Sequence, residues 1–297
     1  MILSVSRRTD VPNYYSAWFL ERVKEGYLYV RNPMNHHQLS KIIISPETVE
    51  GMVFWTKNPA AMLPGLCALR EYPYYFQFTL TGYGKDVEPG LPDKKTVLIP
   101  VFKKLSGQIG SHRVIWRYDP VFVNHRYTME YHEKAFSQIA KALDGYTHRI
   151  VISFLDVYEK TRRNMRGILE HVPDETCMRS LAGKFAAIAS AHRMEIQTCA
   201  EEIDLSEFGI SHGSCIDARL LEAIGNRAVN PRKASGQRGA CGCCESRDVG
   251  TYHTCRNGCR YCYANDSGQR VMESIKNYDV HSPILCGHLT EEEKYGL

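Results

Sequence analysis

Short apolar runs alternate along the chain with longer stretches in which apolar residues recur every three or four positions. Ile2-Leu3-Ser4-Val5-Ser6 and the runs 52–55, 74–79, 113–116, 149–154 and 194–198 are rich in β-branched and aromatic residues and read as strands. Helical spacing covers the stretch from Pro12 through Trp18, Phe19, Leu20 and Val23, and then 60–71, 93–107, 128–143 and 176–192. Pro12 suits a first helical turn, where its missing N–H costs nothing. A short extra strand is expected at 27–30. Strands separated by helices of this length predict a parallel sheet with helical crossovers.

The strands share a second regularity, since nearly all of them run into polar or ionisable residues. These are Thr9-Asp10, Thr56-Lys57-Asn58, Thr79 with Thr81, Arg117 with Asp119, Asp156, and Cys199 with Glu201. In βα barrels the C-terminal strand ends build the active site. Helix capping accounts for Thr9-Asp10 ahead of Pro12. It accounts less well for Lys57, Arg117 and Cys199, so a polar pocket at a barrel mouth is expected, with Arg117 and Asp119 as its candidate catalytic pair. The expected fold is therefore α/β, a parallel (βα)6-type partial TIM barrel over residues 1–225. A cysteine-rich region would follow at 226–265, and a tail at 266–297 would pack on the barrel as a small strand or helix.

Composition narrows the class without deciding it. The chain has 297 residues, 43% hydrophobic and 24% charged, as in ordinary globular proteins. A net charge of +4 permits nucleic acid or a phosphorylated substrate and demands neither. The start, Met1-Ile2-Leu3-Ser4-Val5-Ser6-Arg7-Arg8, has no signal-peptide run, and no later segment has membrane-spanning length. A cytoplasmic protein with no membrane partner is expected. Its 11 cysteines would then be reduced, which favours metal over disulfides.

The cysteines are unevenly placed. Cys255, Cys259 and Cys262 form C-x3-C-x2-C in the stretch Cys255-Arg256-Asn257-Gly258-Cys259-Arg260-Tyr261-Cys262-Tyr263-Ala264-Asn265. Three thiolates on one loop can hold three irons of a [4Fe–4S] cube and leave the fourth open to a small molecule. A structural zinc knot is the bland alternative. Cys199, Cys215, Cys241 and Cys243 form the simplest set for a second [4Fe–4S] cluster, with Cys244 spare. Zinc on the C-x-C-C group with His253, or plain burial of Cys199 and Cys215, are the competing readings.

The cysteine spacing and the flanking Tyr-Cys-Tyr-Ala resemble radical S-adenosylmethionine (SAM) enzymes, especially the group around spore photoproduct lyase. Thr9-Asp10, Thr56-Lys57-Asn58, Phe78-Thr79-Leu80-Thr81 and Glu88-Pro89-Gly90-Leu91-Pro92 are similar to successive landmarks of that group. There the cysteine loop precedes these landmarks and here it follows them, as in a circular permutation. The chain through about residue 265 also resembles an uncharacterised bacterial family with the same C-terminal cysteine signature. The resemblance implies Cys255, Cys259 and Cys262 as cluster ligands and Tyr261 against the adenine of SAM. It implies Lys57 and Thr79 at the methionine carboxylate and Thr9 at the amino group. It further implies an electron donor such as flavodoxin or ferredoxin.

Other features weigh less. Gly82-Tyr83-Gly84 and Gly236-Gln237-Arg238-Gly239 lack the strand–turn–helix context of a phosphate loop. His36-His37 reads as polar surface. The basic run Arg227-Ala228-Val229-Asn230-Pro231-Arg232-Lys233, with Arg238 beyond, is a solvated linker or a phosphate contact. The expected function is a radical SAM enzyme that generates a 5′-deoxyadenosyl radical and acts on a small-molecule or nucleic-acid-derived substrate. Two alternatives stand beside it: a non-catalytic zinc or iron–sulfur module, with nucleic acid as one partner it could take, and a non-radical [4Fe–4S] Lewis-acid or sulfur-transfer enzyme.

Overall fold

The computed structural model describes residues 1–229, 232–234 and 239–295. In chain order its elements are β1 (Ile2–Val5), α1 (Val11–Tyr14), α2 (Ser16–Glu25), β2 (Tyr27–Asn32), β3 (Asn35–Ile43), β4 (Gly51–Thr56) and β5 (Tyr74–Thr79). Then come α3 (Ile99–Ile109), β6 (Val114–Val121), α4 (Met129–Leu143), β7 (Arg149–Phe154), α5 (Glu159–Asn164), α6 (Glu175–Ala191) and β8 (Glu195–Thr198). The chain continues with β9 (Ser211–His212), α7 (Ala218–Gly225), β10 (Arg247–Asp248), α8 (Gly268–Ile275) and α9 (Glu291–Tyr295).

The strands form an 8-stranded sheet in the order β10-β1-β4-β5-β6-β7-β8-β9. Every neighbouring pair in it is parallel. No pairing joins β9 to β10 among the described residues, so the hydrogen bonding makes an open parallel α/β sheet and closes no barrel. The expected consecutive strands lie side by side at its centre. Its two edge strands were not legible, because each is a two-residue piece held by register rather than by an apolar run.

Strand alternation divides the interior in two. Leu3, Met52, Phe54, Tyr74, Phe76, Phe78, Val114, Trp116, Ile150 and Ile152 point to one face and pack with the helices. Ile2, Val53, Tyr75, Ile115 and Val151 point to the other and pack with Ile216, Leu221 and several cysteines. Along that second face the residues turn polar toward the C-terminal strand ends: Tyr75, Gln77 and Thr79 on β5, and Ile115 and Arg117 on β6. The apolar half is plugged from below. Leu221 of α7 lies against Gly51, where a Cβ would meet its side chain at 2.6 Å. Burying such a leucine contributes roughly 1.5–3 kcal/mol. Tyr75 Oη donates to Cys215 O at 2.7 Å and accepts from Asp217 N at 2.9 Å, which fastens the plug.

Several local expectations change. The stretch at 27–30 pairs with β3 as an antiparallel hairpin outside the main sheet. Residues 60–71 form only a 3-10 helix, Leu63–Leu69, because Pro64 cannot donate within an α-helix and Gly65 beside it is a poor helix former. The segment 93–107 opens with a wide turn, Lys94–Leu98, just ahead of Pro100 in α3. In the tail, Ser282 O accepts from Trp18 Nε1 at 2.8 Å and Pro283 O accepts from Tyr29 N at 2.8 Å.

Candidate functional site

Asp10 is the hub of the strand-end region. It caps α1 by accepting from Asn13 N at 3.2 Å, and its other oxygen accepts from Lys57 N at 2.9 Å and Asn257 Nδ2 at 3.0 Å. One carboxylate thus joins the end of β1, the end of β4 and the cysteine loop. Burial pushes its pKa up, against these donated bonds. Asn257 Oδ1 accepts in turn from Tyr14 Oη at 2.8 Å, and Tyr15 Oη donates to Thr254 O at 2.6 Å. Gly258, with φ of 67°, makes the left-handed turn between Cys255 and Cys259. Gly90 N donates to Asn257 O at 3.0 Å and Arg260 N to Val87 O at 2.9 Å, so the Glu88-Pro89-Gly90 loop docks on the cysteine loop backbone. Further back, Asp248 on β10 accepts from Ser4 Oγ at 2.6 Å and Arg7 N at 2.8 Å, which anchors the approach to that loop.

A cavity of about 920 Å³ opens here. Its walls include Thr9, Lys57, Thr79, Arg117, Asp119 and Tyr261. Both groups of cysteines face it: Cys255, Cys259 and Cys262 from the loop, and Cys199, Cys215, Cys241 and Cys243 from elsewhere. Every site residue expected from the sequence therefore lies on one cavity.

Lys57 does not stand alone in it. Its Nζ donates to Glu88 Oε1 at 2.9 Å and to Tyr261 Oη at 2.7 Å, and sits 5.3 Å from the centre of the Tyr261 ring. Tyr261 Oη and Lys94 Nζ also donate to Glu88, and Thr81 Oγ1 does so at 2.9 Å. Burial opposes the charge on Glu88, but Lys57 and Lys94 prevail and hold its carboxyl at about 2. Burial likewise opposes the Lys57 ammonium, and Glu88 more than restores it, leaving its pKa raised. Two ammoniums share one carboxylate, so this group of three carries one net positive charge, and its Lys57 lies on the cavity wall. Thr9 Oγ1 is buried with no hydrogen-bond partner.

The loop thiols are held neutral. Burial pushes Cys259 up to about 12, against the pull of Lys57, and raises Cys255 and Cys262 as well. On the strand side, Arg117 forms a fork with Asp119, at 3.1 and 2.5 Å, and its Nη1 donates to Cys215 Sγ at 2.8 Å. Cys199 Sγ lies 3.0 Å from Cys215 Sγ, and Cys243 Sγ accepts from Ile216 N at 3.4 Å.

His253 pairs across the base of the cysteine loop: its Nδ1 accepts from Asp266 N at 3.1 Å. His36 and His37 are exposed on β3, away from the cavity residues. In the basic run, Arg227 donates to Pro46 O at 2.8 Å and Val49 O at 2.5 Å and so ties α7 to the chain below the sheet. Asn230, Pro231, Gly236, Gln237 and Arg238 lie outside the described residues. Sequence reasoning did not assign roles to Glu88, Lys94 or Asp10 as a joint. The run Glu88-Pro89-Gly90-Leu91-Pro92 was the available signal for Glu88, while Lys94 had none, being one lysine of many.

A domain family described only as a domain of unknown function matches residues 2–264. The chain belongs to that family, DUF1848. The match spans the sheet, the plug and the three cysteines of the loop. No curated protein matches it. No helix among the described residues is long and apolar enough to cross a membrane.

Proposed function

We propose that this chain is a radical SAM-type enzyme, with Cys255, Cys259 and Cys262 as the ligands of its [4Fe–4S] cluster. The observation that carries the reading is the common cavity: three thiols of one loop face the C-terminal ends of parallel strands across a space large enough for a SAM-sized ligand. The donor chemistry fits an iron–sulfur cube, because thiolates are its usual ligands and these neutral, buried thiols need a cation to ionise. Among the described residues no three His, Cys, Asp or Glu side chains converge as they would around a single metal ion. A cube takes its sulfurs at separate corners, so its ligands stand further apart than those of one ion.

When bound, the cluster supplies the electron that cleaves SAM. The chain's own part is to bind and orient. Thr9 Oγ1, otherwise unpartnered, offers a hydrogen bond to the amino acid portion of the ligand. The net positive charge of Lys57, Lys94 and Glu88 favours its carboxylate, with Thr79 beside it. Tyr261 is held by Lys57 and Glu88 so that its ring borders the cavity. Arg117 and Asp119 supply paired polar groups toward a substrate, which is a small molecule or derived from nucleic acid, with a flavodoxin or ferredoxin as electron donor. The finer descriptions, a partial (βα)6 TIM-type barrel and a permuted relation to the spore photoproduct lyase group, belong to the same reading.

Anaerobic purification, an iron count and a dithionite-driven assay for 5′-deoxyadenosine test it. Wild type should form 5′-deoxyadenosine from SAM, and Cys255→Ala/Cys259→Ala/Cys262→Ala should not, with a loss of about four irons per chain. Stoichiometric zinc after iron reconstitution, or iron-loaded protein that leaves SAM intact, would show the reading to be wrong.

A further inference from the structure

Four thiols on the cavity wall remain without a role in that reading. Cys199 follows β8, Cys215 lies between β9 and α7, and Cys241 and Cys243 lie in the loop ahead of β10. Residues far apart in the chain are thus brought together, and Cys215, Cys241 and Cys243 are buried. Thiols are weak hydrogen-bonding groups, so mutual hydrogen bonding explains little of such a gathering. All of these cysteines are free, so they are not a disulfide framework.

Two of the four, Cys215 and Cys243, have a donor aimed at sulfur. Arg117 is buried and cannot give up its proton. Asp119 takes one edge of its guanidinium, and Nη1 is left aimed at Cys215 Sγ and, at 3.3 Å, at Gln77 Oε1. Ile216 N points at Cys243 Sγ at 3.4 Å. A fixed cation and a backbone donor directed at sulfur are what thiolates need in a buried site.

We propose that Cys199, Cys215, Cys241 and Cys243 are the ligands of a second iron–sulfur cluster, bordering the same cavity as the Cys255 loop. Zinc is the other ion that takes four thiolates, but a structural zinc site is a closed tetrahedron around one ion. Cys199 Sγ and Cys215 Sγ stand 3.0 Å apart, as close as ligands of one ion would, but all four thiols open on a cavity that can hold a larger group. Cys199 and Cys215 are closer together than two corners of a cube require. Cys199 is only half-buried and borders the open space, so its side chain has room to turn away from Cys215 into another staggered rotamer.

The site stands independently of the SAM reading, and two variants separate them. The full chain is purified anaerobically and reconstituted with iron and sulfide, and iron, zinc and the electron paramagnetic resonance of the reduced protein are measured. Wild type should hold about eight irons per chain, the content of two cubes. Cys255→Ala/Cys259→Ala/Cys262→Ala should keep about four, with visible absorption and a resonance signal of its own. Cys241→Ser/Cys243→Ser changes only loop residues and should lose the complementary half while keeping the signal of the first cluster. Iron loss in the first variant to near zero with the circular dichroism of folded protein overturns the proposal. So does wild-type iron of about four that Cys241→Ser/Cys243→Ser leaves unchanged, or zinc in place of iron at the second site.

Discussion

Replacing Lys57 by methionine keeps the unbranched stem and removes one charge from a buried group of three. Lys57 Nζ and Glu88 Oε1 are 2.9 Å apart, with side chains 13% and 1% exposed, so water screens the pair little. Glu88 is held at about 2 against an ordinary value of 4.5. At 1.36 kcal/mol per unit that depression corresponds to roughly 3 kcal/mol, contributed by Lys57, Lys94 and the hydrogen-bond donors together. Stripping a buried charge of its partner typically costs about 3–5 kcal/mol. Lys94 stays in place, so Lys57→Met should cost about 1–3 kcal/mol near pH 7. The sign of the pH dependence follows from the depressed carboxyl. Its contribution is complete above 4.5 and is lost as pH falls toward about 2. In the variant burial is less opposed and the Glu88 pKa rises, so that dependence flattens. The stability gap between the two proteins should therefore be widest near neutrality and shrink in acid. Urea unfolding near pH 7 and near pH 3 measures both quantities. SAM affinity of the iron-loaded protein should also fall by about tenfold or more, from a lost charge-assisted bond of about 1.5–3 kcal/mol. Equal urea midpoints for wild type and variant near neutrality would refute the reasoning about the pair. Equal SAM affinities would remove Lys57 from the ligand site.

Two further predictions concern the frame of the site. A Cβ at Gly90 would meet Asn257 O at 2.6 Å and Arg256 O at 2.8 Å, both backbone atoms that cannot turn aside. Gly90→Ala should therefore cost about 1–3 kcal/mol and loosen the cysteine loop, read as a lower melting temperature together with lower iron content; an unchanged melt would contradict it. His132 is fully buried, donates from Nε2 to Phe122 O at 2.8 Å and accepts at Nδ1 from Tyr118 Oη at 2.9 Å. Burial lowers its pKa from 6.5 to about 4, so its contribution is complete above 6.5 and is lost as pH falls to about 4, up to roughly 3 kcal/mol. His132→Gln should flatten urea stability over that window, and an undiminished slope would mean that other groups set it.

Read alone, the sequence determined those features whose cause is local. Strand and helix period come from neighbouring residues, and so the central strands β1 and β4 to β8 and the polar character of their ends were legible. The cysteine loop was legible because its residues are consecutive and their spacing carries the chemistry. Tertiary structure decided what depends on distant residues meeting. The edge strands β9 and β10 exist only because neighbouring strands offer free backbone groups, and no periodicity marks a strand of two residues. Asp10 reads as a helix cap, and only the fold shows that its second oxygen holds the ends of β4 and the cysteine loop. Lys57 reads as a free cation at a strand end, yet burial forces a counter-charge on it, and Glu88 and Lys94 come from a loop whose approach no local pattern encodes. The same holds for Cys199, Cys215, Cys241 and Cys243: their types were visible in the sequence, but their meeting beside Arg117 rests on parallel register and on the plug beneath it.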